Sequence, residues 1–431
     1  MSPRVLLLAE SCNPEWPSLP IVGYKYARAL SRAADVTLVT HPRNREAIDK
    51  AGDFEAPIAY IDNEWIAAPM FRFATWLRGG DEVAWSTSQI MSYPPYVAFE
   101  YQALKRFRAD LKAGAFDIVH RITPMSPTLP SYIAGRMAQP FVIGPLNGNL
   151  DWPKAFRGEQ KREREGLRNL RNLYRYLPYA RRTFTRADAI MAAFRHTIDD
   201  LPESVLPRTV SFPEIGFDPE IFHDTNRAVP FAGSGPKRFL FAGRLVPYKV
   251  PEAAVRAFAG SEALKGHVLD ILGDGPEMPR LRAMVAEAGA EDRVIFHGRK
   301  TQGDVARAMR AADAFVFPSI RELGAGVVIE AMATGTLCIV TDYGAPGDLA
   351  ADDRGIRVAL QPMEGLVRDY RAAMEAAIAT PERSAETAAR GRAYAWDQFT
   401  WEAKARNTIE VYEALLTKQP LEHVAPYGPT H

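Results

Sequence analysis

Short apolar runs separated by longer amphipathic stretches set the rhythm of this chain. Arg4 to Ala9 is apolar after its first residue and reads as a buried strand, the polar, Pro-containing Glu10 to Pro20 as a loop, and Gly23 to Ala33 as a helix. A second buried strand, Asp35 to His41, follows at once. Strands that are apolar on both faces need cover on both, so this order predicts a parallel sheet with helices on each side. Ile58 to Ile61, Asp117 to His120, Pro140 to Gly144, Ala189 to Ala193 and Thr209 to Phe212 extend the series. Between Pro213 and Pro236 the composition turns to Pro, Gly, Asp, Asn and Ser, a linker signal. The alternation then restarts with Arg238 to Ala242, Val268 to Leu272, Arg293 to His297, Ala314 to Pro318 and Cys338 to Thr341, and Ser384 to Lys418 is helical by pattern. The expectation is an α/β chain of two doubly wound halves, residues 1–218 and 237–390, with a linker at 219–236, a closing helix at 391–418 and a tail at 419–431.

Two stretches break the rhythm. Residues 62–100 carry Trp65, Phe71, Phe73, Trp76, Trp85, Tyr93, Tyr96 and Phe99. These rings either pack helices or form an acceptor platform, because aromatic faces stack on sugars and acyl chains. Residues 151–186 hold eleven Lys and Arg against four acids, a local balance of +7. Leu167, Leu170, Leu173, Tyr174 and Leu177 recur there at helical spacing, which describes an amphipathic helix with a basic face. That face is either simply solvated or in contact with a phosphorylated acceptor or a membrane surface.

Composition narrows the function classes. With 47% hydrophobic and 24% charged residues in 431, the chain is globular, not disordered or coiled. Lys and Arg total 53 against 52 Asp and Glu, so no overall field draws nucleic acid. Cys12 and Cys338 stand alone, without the spacing of a disulfide framework or a zinc site. The first apolar run is cut short by Glu10, and no later run has the length of a spanning helix. The expected location is cytoplasmic, at most peripheral at the inner membrane face, with no metal and no cofactor.

In open α/β sheets, ligands bind beyond the carboxyl ends of the strands. There the second half carries Gly243-Arg244 with Lys249, Gly273-Asp274-Gly275-Pro276, Gly298-Arg299-Lys300, and Arg321-Glu322-Leu323-Gly324-Ala325-Gly326 before a helix from Val327 to Ala333. Glycines beside cations suit close backbone approach to a phosphorylated ligand. Glu322 and Glu330, eight residues apart on a helix, would lie about 12 Å apart and cannot share a proton. With Glu322 in the loop and Glu330 on the helix, the amides of Leu323, Gly324 and Ala325 lie between them, a layout suiting ribose, two phosphates and a sugar. The plainer alternative makes Glu322 a helix-start acid and Glu330 a solvated one. In the first half, Asn147 and Gly148 follow a strand in a turn that either meets a phosphate or acceptor or is a turn only.

Gly243-Arg244-Leu245 with Lys249, Gly273-Asp274-Gly275-Pro276, Phe296-His297-Gly298, and Pro318-Ser319-Ile320-Arg321-Glu322 through Glu330-Ala331-Met332-Ala333-Thr334-Gly335 together resemble family-4 retaining glycosyltransferases. The resemblance implies the type-B glycosyltransferase fold, two Rossmann-like domains facing across a cleft, acceptor on the first and donor on the second, with a last helix returning to the first domain. It implies that Glu322 contacts the donor sugar, Glu330 the ribose, and Arg244 and Lys249 the diphosphate, with Gly243, Gly273, Gly275, Leu323, Gly324 and Ala325 around the donor. His120 stands at the strand end where the family places an imidazole, but Arg121 and Ile122 follow it instead of a second histidine. A site role and a structural role both stay open for it. The first loop has Gly23 alone where the family often has a glycine pair. The implied activity is metal-independent, retaining transfer of a hexosyl group from a nucleoside diphosphate sugar, UDP-sugar before GDP-sugar, to a hydroxyl acceptor such as a glycan or lipid-linked sugar. A nucleotide-sugar epimerase or hydrolase of the same fold, or an inactive nucleotide-sugar-binding protein, are the rivals. An oxidoreductase is disfavoured, because Glu10-Ser11-Cys12-Asn13 stands where a dinucleotide-binding glycine motif would be.

Overall fold

The structure, a computed structural model, describes residues 2–70, 85–162, 176–225, 227–424 and 427. The chain divides into two compact units, one of Met1–Asn149, Glu165–Glu214 and Trp401–His431, the other of Leu150–Arg164 and Ile215–Thr400.

The first unit is built on a seven-stranded sheet ordered β3-β2-β1-β4-β5-β6-β7. Its strands are β1 (Arg4–Ala9), β2 (Asp35–Thr40), β3 (Ile58–Tyr60), β4 (Ile118–Thr123), β5 (Phe141–Leu146), β6 (Ala189–Ala192) and β7 (Thr209–Ser211), with every pairing parallel. Around them lie α1 (Leu19–Ala33), α2 (Arg45–Ala51), α3 (Trp85–Lys112), with α4 (Arg157–Arg162) in the second unit, then α5 (Ala180–Arg186) and α6 (Phe194–Ile198). Alternation along β1 shows why both faces are covered. Val5 and Leu7 enter one apolar cluster, and Leu6 and Leu8 enter another on the opposite face. Of the aromatic residues singled out between 62 and 100, Tyr96 and Phe99 join the second cluster and Trp65 is exposed, while Phe71, Phe73 and Trp76 lie outside the described residues.

The second unit repeats the plan with six parallel strands ordered β10-β9-β8-β11-β12-β13. They are β8 (Arg238–Ala242), β9 (Val268–Leu272), β10 (Val294–Gly298), β11 (Ala314–Phe317), β12 (Leu337–Thr341) and β13 (Ile356–Val358). Their helices are α7 (Pro251–Ala259), α8 (Met278–Glu287), α9 (Gln302–Ala311), α10 (Gly326–Ala333), α11 (Gly344–Leu349), α12 (Met363–Ala379) and α13 (Pro381–Gln398). In each sheet the chain winds outward from a central strand, then returns to that strand's other side. The strand order therefore reverses between β1 and β4 and between β8 and β11, opening a crevice at the carboxyl ends of those pairs.

Three features depart from the sequence expectation. Residues 219–236 are anchored to the second unit at three points, although much of the stretch is exposed: Phe222 and Phe231 are buried, and Arg227 donates to the carbonyls of Met309, Arg310 and Ala312, which end α9. Residues 150–162 belong with the same unit. Tyr343 donates to Asp151 O at 2.8 Å, and the Arg321 guanidinium lies 5.4 Å from the Trp152 ring. A single basic helix over 151–186 is not what is described: α4 and α5 are separate short helices, and Arg164, Arg168, Arg171 and Arg175 lie outside the described residues. Among the described residues, no helix is long and apolar enough to cross a membrane.

The helix α14 (Trp401–Thr417) packs on α1 in the first unit through polar as well as apolar groups. The hydroxyls of Tyr26 and Thr408 meet at 2.6 Å, and Tyr412 Oη lies 2.5 Å from His120 Nδ1. His120 Nε2 is 2.8 Å from the Gly144 carbonyl, which can only accept, so Nε2 carries the proton and Nδ1 accepts from Tyr412. Lys404, fully buried, donates to Pro213 O and lies 4.4 Å from the Phe212 ring. Burial pulls its pKa down to about 7, against the opposing pull of Glu214.

Two outcomes follow. Tyr412→Phe leaves His120 Nδ1 buried without a donor, and should lower the unfolding free energy of the first unit by about 1 to 3 kcal/mol in urea titrations. From about pH 7 up to Lys404's ordinary 10.5, the unfolded chain holds a proton that the folded chain has released. Stability should therefore rise with pH across that window, and Lys404→Met should flatten the profile when unfolding is measured at several pH values.

Candidate donor site in the second unit

Four loops at the carboxyl edge of the second sheet supply the site, and backbone crowding explains their glycines. Gly273, after β9, has φ +143°, and a Cβ there would sit 1.9 Å from the carbonyl oxygen of Gly243, after β8. Gly275, with φ +158°, would bring a Cβ within 2.4 Å of Leu245 O. No side chain fits between these loops, so glycine is required.

The loop after β8 then hooks onto the loop after β11. Ile320 N donates to Tyr248 O at 3.0 Å, and Ser319 Oγ reaches the same carbonyl at 3.3 Å. This brings Lys249 Nζ to 2.5 Å from Glu322 Oε1, with Ser319 Oγ 3.1 Å from that oxygen. Side-chain exposure is 11% for Lys249 and 15% for Glu322, so the pair is largely removed from water. The ammonium also lies 4.7 Å from the centre of the Phe317 ring. From the other side, Ala345 N donates to Glu322 O at 3.2 Å, and Gly344 is kept side-chain-free by that carbonyl, 2.7 Å from where its Cβ would stand. Glu322 is thus held through both side chain and backbone.

Beyond Glu322 the chain passes Leu323 and Gly324 to Ala325, which adopts φ +50° and opens α10. The amides of Leu323, Gly324 and Ala325 have no backbone acceptor among the described residues. They stand at the positive end of α10, a setting for an anion. Glu330 is half-buried within α10, so the two glutamates flank this end from loop and helix. Arg244 is exposed, its Nη2 3.1 Å from Tyr248 Oη. Arg162 of α4 reaches the Glu277 carboxylate at 2.9 and 3.0 Å, two residues beyond Gly275. The sequence reading gave no role to Ser319, Tyr248 or Arg162. Ser319 had a signal, since a hydroxyl three residues before Glu322 can reach its carboxylate; Arg162 had none, because its partner is remote in sequence.

The first unit holds the remaining candidates, and two need correction. His120 is fully buried, both ring nitrogens are bonded within the core, and burial pulls its pKa down to about 4. It fixes α14 to β4 and β5 and is not placed to reach a substrate. Gly23 lies inside α1, not in an open loop; a Cβ there would be 2.6 Å from Ser11 O, so it serves helix packing. Asn147 and Gly148 are more than a turn. Asn147 Nδ2 donates to Glu214 Oε1 at 2.6 Å, its Oδ1 lies 3.2 Å from His196 Nε2, and Thr197 Oγ1 holds Gly148 through both amide and carbonyl. Burial raises the pKa of Glu214, which closes this polar cluster at the carboxyl ends of β5, β6 and β7.

Residues 222–393 match the family described as glycosyl transferases group 1. The 2-deoxystreptamine glucosyltransferase of Streptomyces kanamyceticus is 29% identical over 55% of this chain and 60% of its own length. The D-inositol 3-phosphate glycosyltransferase of Stackebrandtia nassauensis is 29% identical over 48% of this chain and 49% of its own. The chain thus spans about half the length of these curated relatives. Among solved structures, the sucrose-phosphate synthase of Thermosynechococcus elongatus aligns with a TM-score of 0.60 at 17% identity, over 97% of this chain and 100% of that one. Anabaena HepE in complex with UDP and glucose aligns with a TM-score of 0.57 at 16% identity, over 96% of this chain and 100% of its own. The protein therefore has the type-B glycosyltransferase fold, and its residues 222–393, under half of the chain, match the glycosyl transferases group 1 family.

Proposed function

We propose that this chain is a retaining glycosyltransferase that moves a hexosyl group from a nucleoside diphosphate sugar, a UDP-sugar before a GDP-sugar, to a hydroxyl acceptor. The observation that carries the reading is the Lys249–Glu322 pair at the mouth of α10, a cation, a carboxylate and a helix N-terminus converging where the strand order reverses. The relatives that bear on it are named as glycosyltransferases, and one similar structure is described with UDP and glucose.

Residue roles follow from charge. A diphosphate at the start of α10 would meet its amides and draw on Lys249 and Arg244, which stabilise the charge that develops as the sugar–phosphate bond breaks. Lys249 can serve this way because Glu322 and the Phe317 ring keep it in place before the donor arrives. Glu322, so oriented, would accept from donor sugar hydroxyls, and Glu330 from the ribose. Retention would come from front-face displacement through an oxocarbenium-like transition state, the leaving phosphate taking the acceptor proton. With two cations and helix amides facing the diphosphate, we expect no divalent ion to be needed. The Asn147, Glu214 and His196 cluster is the acceptor-side counterpart in this reading, offering donors and acceptors to a hydroxylated molecule.

Donor identity is checked first, by thermal stabilisation with UDP- and GDP-sugars, since a ligand bound only to the folded state raises the melting temperature. Transfer to an added acceptor, against release of free sugar, separates a transferase from a hydrolase. Arg244→Ala and Lys249→Ala should each lower turnover at saturating substrates more than tenfold, at least about 1.4 kcal/mol of transition-state stabilisation. Arg244 is exposed, so its variant separates catalysis from folding; wild-type turnover would refute the assignment. Glu330→Ala should weaken donor affinity by roughly 1 to 3 kcal/mol, because ribose hydroxyls lose their partner. Turnover should persist in EDTA, and its loss with recovery on adding magnesium or manganese would reverse the metal assignment.

A further inference from the structure

A second cluster of charge lies in the first unit, at the opposite edge of its sheet from the strand ends that carry Asn147 and Glu214. A groove of about 570 Å³ runs between the last turns of α3, the chain that enters β5, and α5. One wall is a helical stripe, Tyr101, Lys105, Arg108 and Lys112, on the side of α3 away from Phe99 and Ala103 in the core. Arg136 and Arg182 stand on the other wall. No Asp or Glu among the described residues lines the groove. None of the five cations has a carboxylate partner among the described residues, although the whole chain is nearly neutral at +1. Elsewhere cations find acids readily, as Arg4 does with Asp117 and Arg256 with Glu364.

The far wall is held in shape. The Arg136 guanidinium lies 4.1 Å from the Tyr132 ring and 5.4 Å from the Tyr179 ring, and its Nε donates to Tyr132 O. Arg182 donates to Ala134 O at 2.8 Å and Gly135 O at 2.7 Å. Carbonyls orient these guanidinium groups without neutralising them. Tyr101 and Tyr132 meet edge to face at 5.8 Å, giving the groove an aromatic end.

We propose that this groove is a binding site for a compact ligand carrying two or more phosphate groups and a flat or sugar-like face. Five unneutralised charges on two facing walls repel one another, and an anion between them relieves that repulsion from both sides. Lysines and arginines supply the donors that phosphate oxygens accept, and the tyrosine rings offer a stacking surface. The volume is that of a small-molecule site. A bilayer presents a plane and would touch only the rims, which favours a ligand that enters. The site is separate from the residues assigned to the donor and does not depend on that assignment.

Inorganic pyrophosphate, titrated calorimetrically into the full chain, is the probe. Lys105, Arg108 and Lys112 are exposed, and their side chains make no hydrogen bond or ion pair among the described residues, so Lys105→Gln/Arg108→Gln/Lys112→Gln should keep the wild-type melting temperature and lose at least tenfold in pyrophosphate affinity. The single charge reversal Lys112→Glu should lose affinity in the same direction if the triple variant folds poorly. Wild-type affinity should also fall as salt rises, because exposed charges are screened over about 8 Å at physiological ionic strength. Arg244→Ala/Lys249→Ala should retain a pyrophosphate site. No binding by the wild-type chain, or binding lost only in Arg244→Ala/Lys249→Ala, would overturn the proposal. So would a triple variant that keeps pyrophosphate but loses retention on phosphatidylglycerol vesicles, which would make this face a membrane contact.

Discussion

The second unit's site depends on one ion pair. Lys249 and Glu322 come from the loops after β8 and β11, adjacent strands between which the strand order reverses, and meet at 2.5 Å with little exposure. A charge so placed is costly alone, and removing either partner of a buried pair typically costs about 3 to 5 kcal/mol, because the survivor is stranded. The pair therefore has to be assembled together, and the surrounding geometry does so. Tyr248 O ties one loop to the other, Ser319 supplies a hydroxyl, and Ala345 N takes the Glu322 carbonyl. The glycines at 273 and 275 belong to the same constraint, since any side chain there would push the loops apart.

The first unit uses buried polarity differently. His120 and Lys404 are inside the core, where burial pulls both pKa values down, to about 4 and about 7. Each spends its hydrogen-bonding capacity on chain carbonyls or a tyrosine, so each ties α14 to the sheet it covers. The polar groups outside the core lie at the sheet's two edges: the hydrogen-bonded Asn147, Glu214 and His196 cluster at the carboxyl ends, and the cations of the groove at the other. A parallel sheet sets this pattern, because its faces are buried under helices and only its ends remain for chemistry.

Strand content was legible because a buried parallel strand is a local, continuous apolar run. Arg4–Ala9, Arg238–Ala242 and Val268–Leu272 fall where the pattern puts them, whereas the three-residue β13, with Arg357 at its centre, gives no such run. The spacing of Glu322 and Glu330, the strand-end glycines and the cations at 244 and 249 were likewise readable, since each sits in a short motif tied to a strand end. Meeting partners were not readable. That Lys249 touches Glu322, that Arg162 reaches Glu277, and that cations from α3, α5 and the β5 approach line one groove are contacts between residues far apart in sequence.

The same distinction accounts for the corrections. His120 has the position expected of a site histidine, but a buried tyrosine from a helix almost three hundred residues later takes one nitrogen and Gly144 the other. Gly23 sits where a loop glycine was expected, yet α1 begins before it and packs it against Ser11. Residues 219–236 have linker composition, but Phe222 and Phe231 find apolar cover, and Arg227 finds the carbonyls that end α9. The amino-acid sequence by itself determined the periodicities, the motif spacings and hence the fold class. Only the tertiary structure decided which polar groups are buried and satisfied and which are left for a ligand, because solvation and hydrogen-bond partners depend on residues that folding brings together.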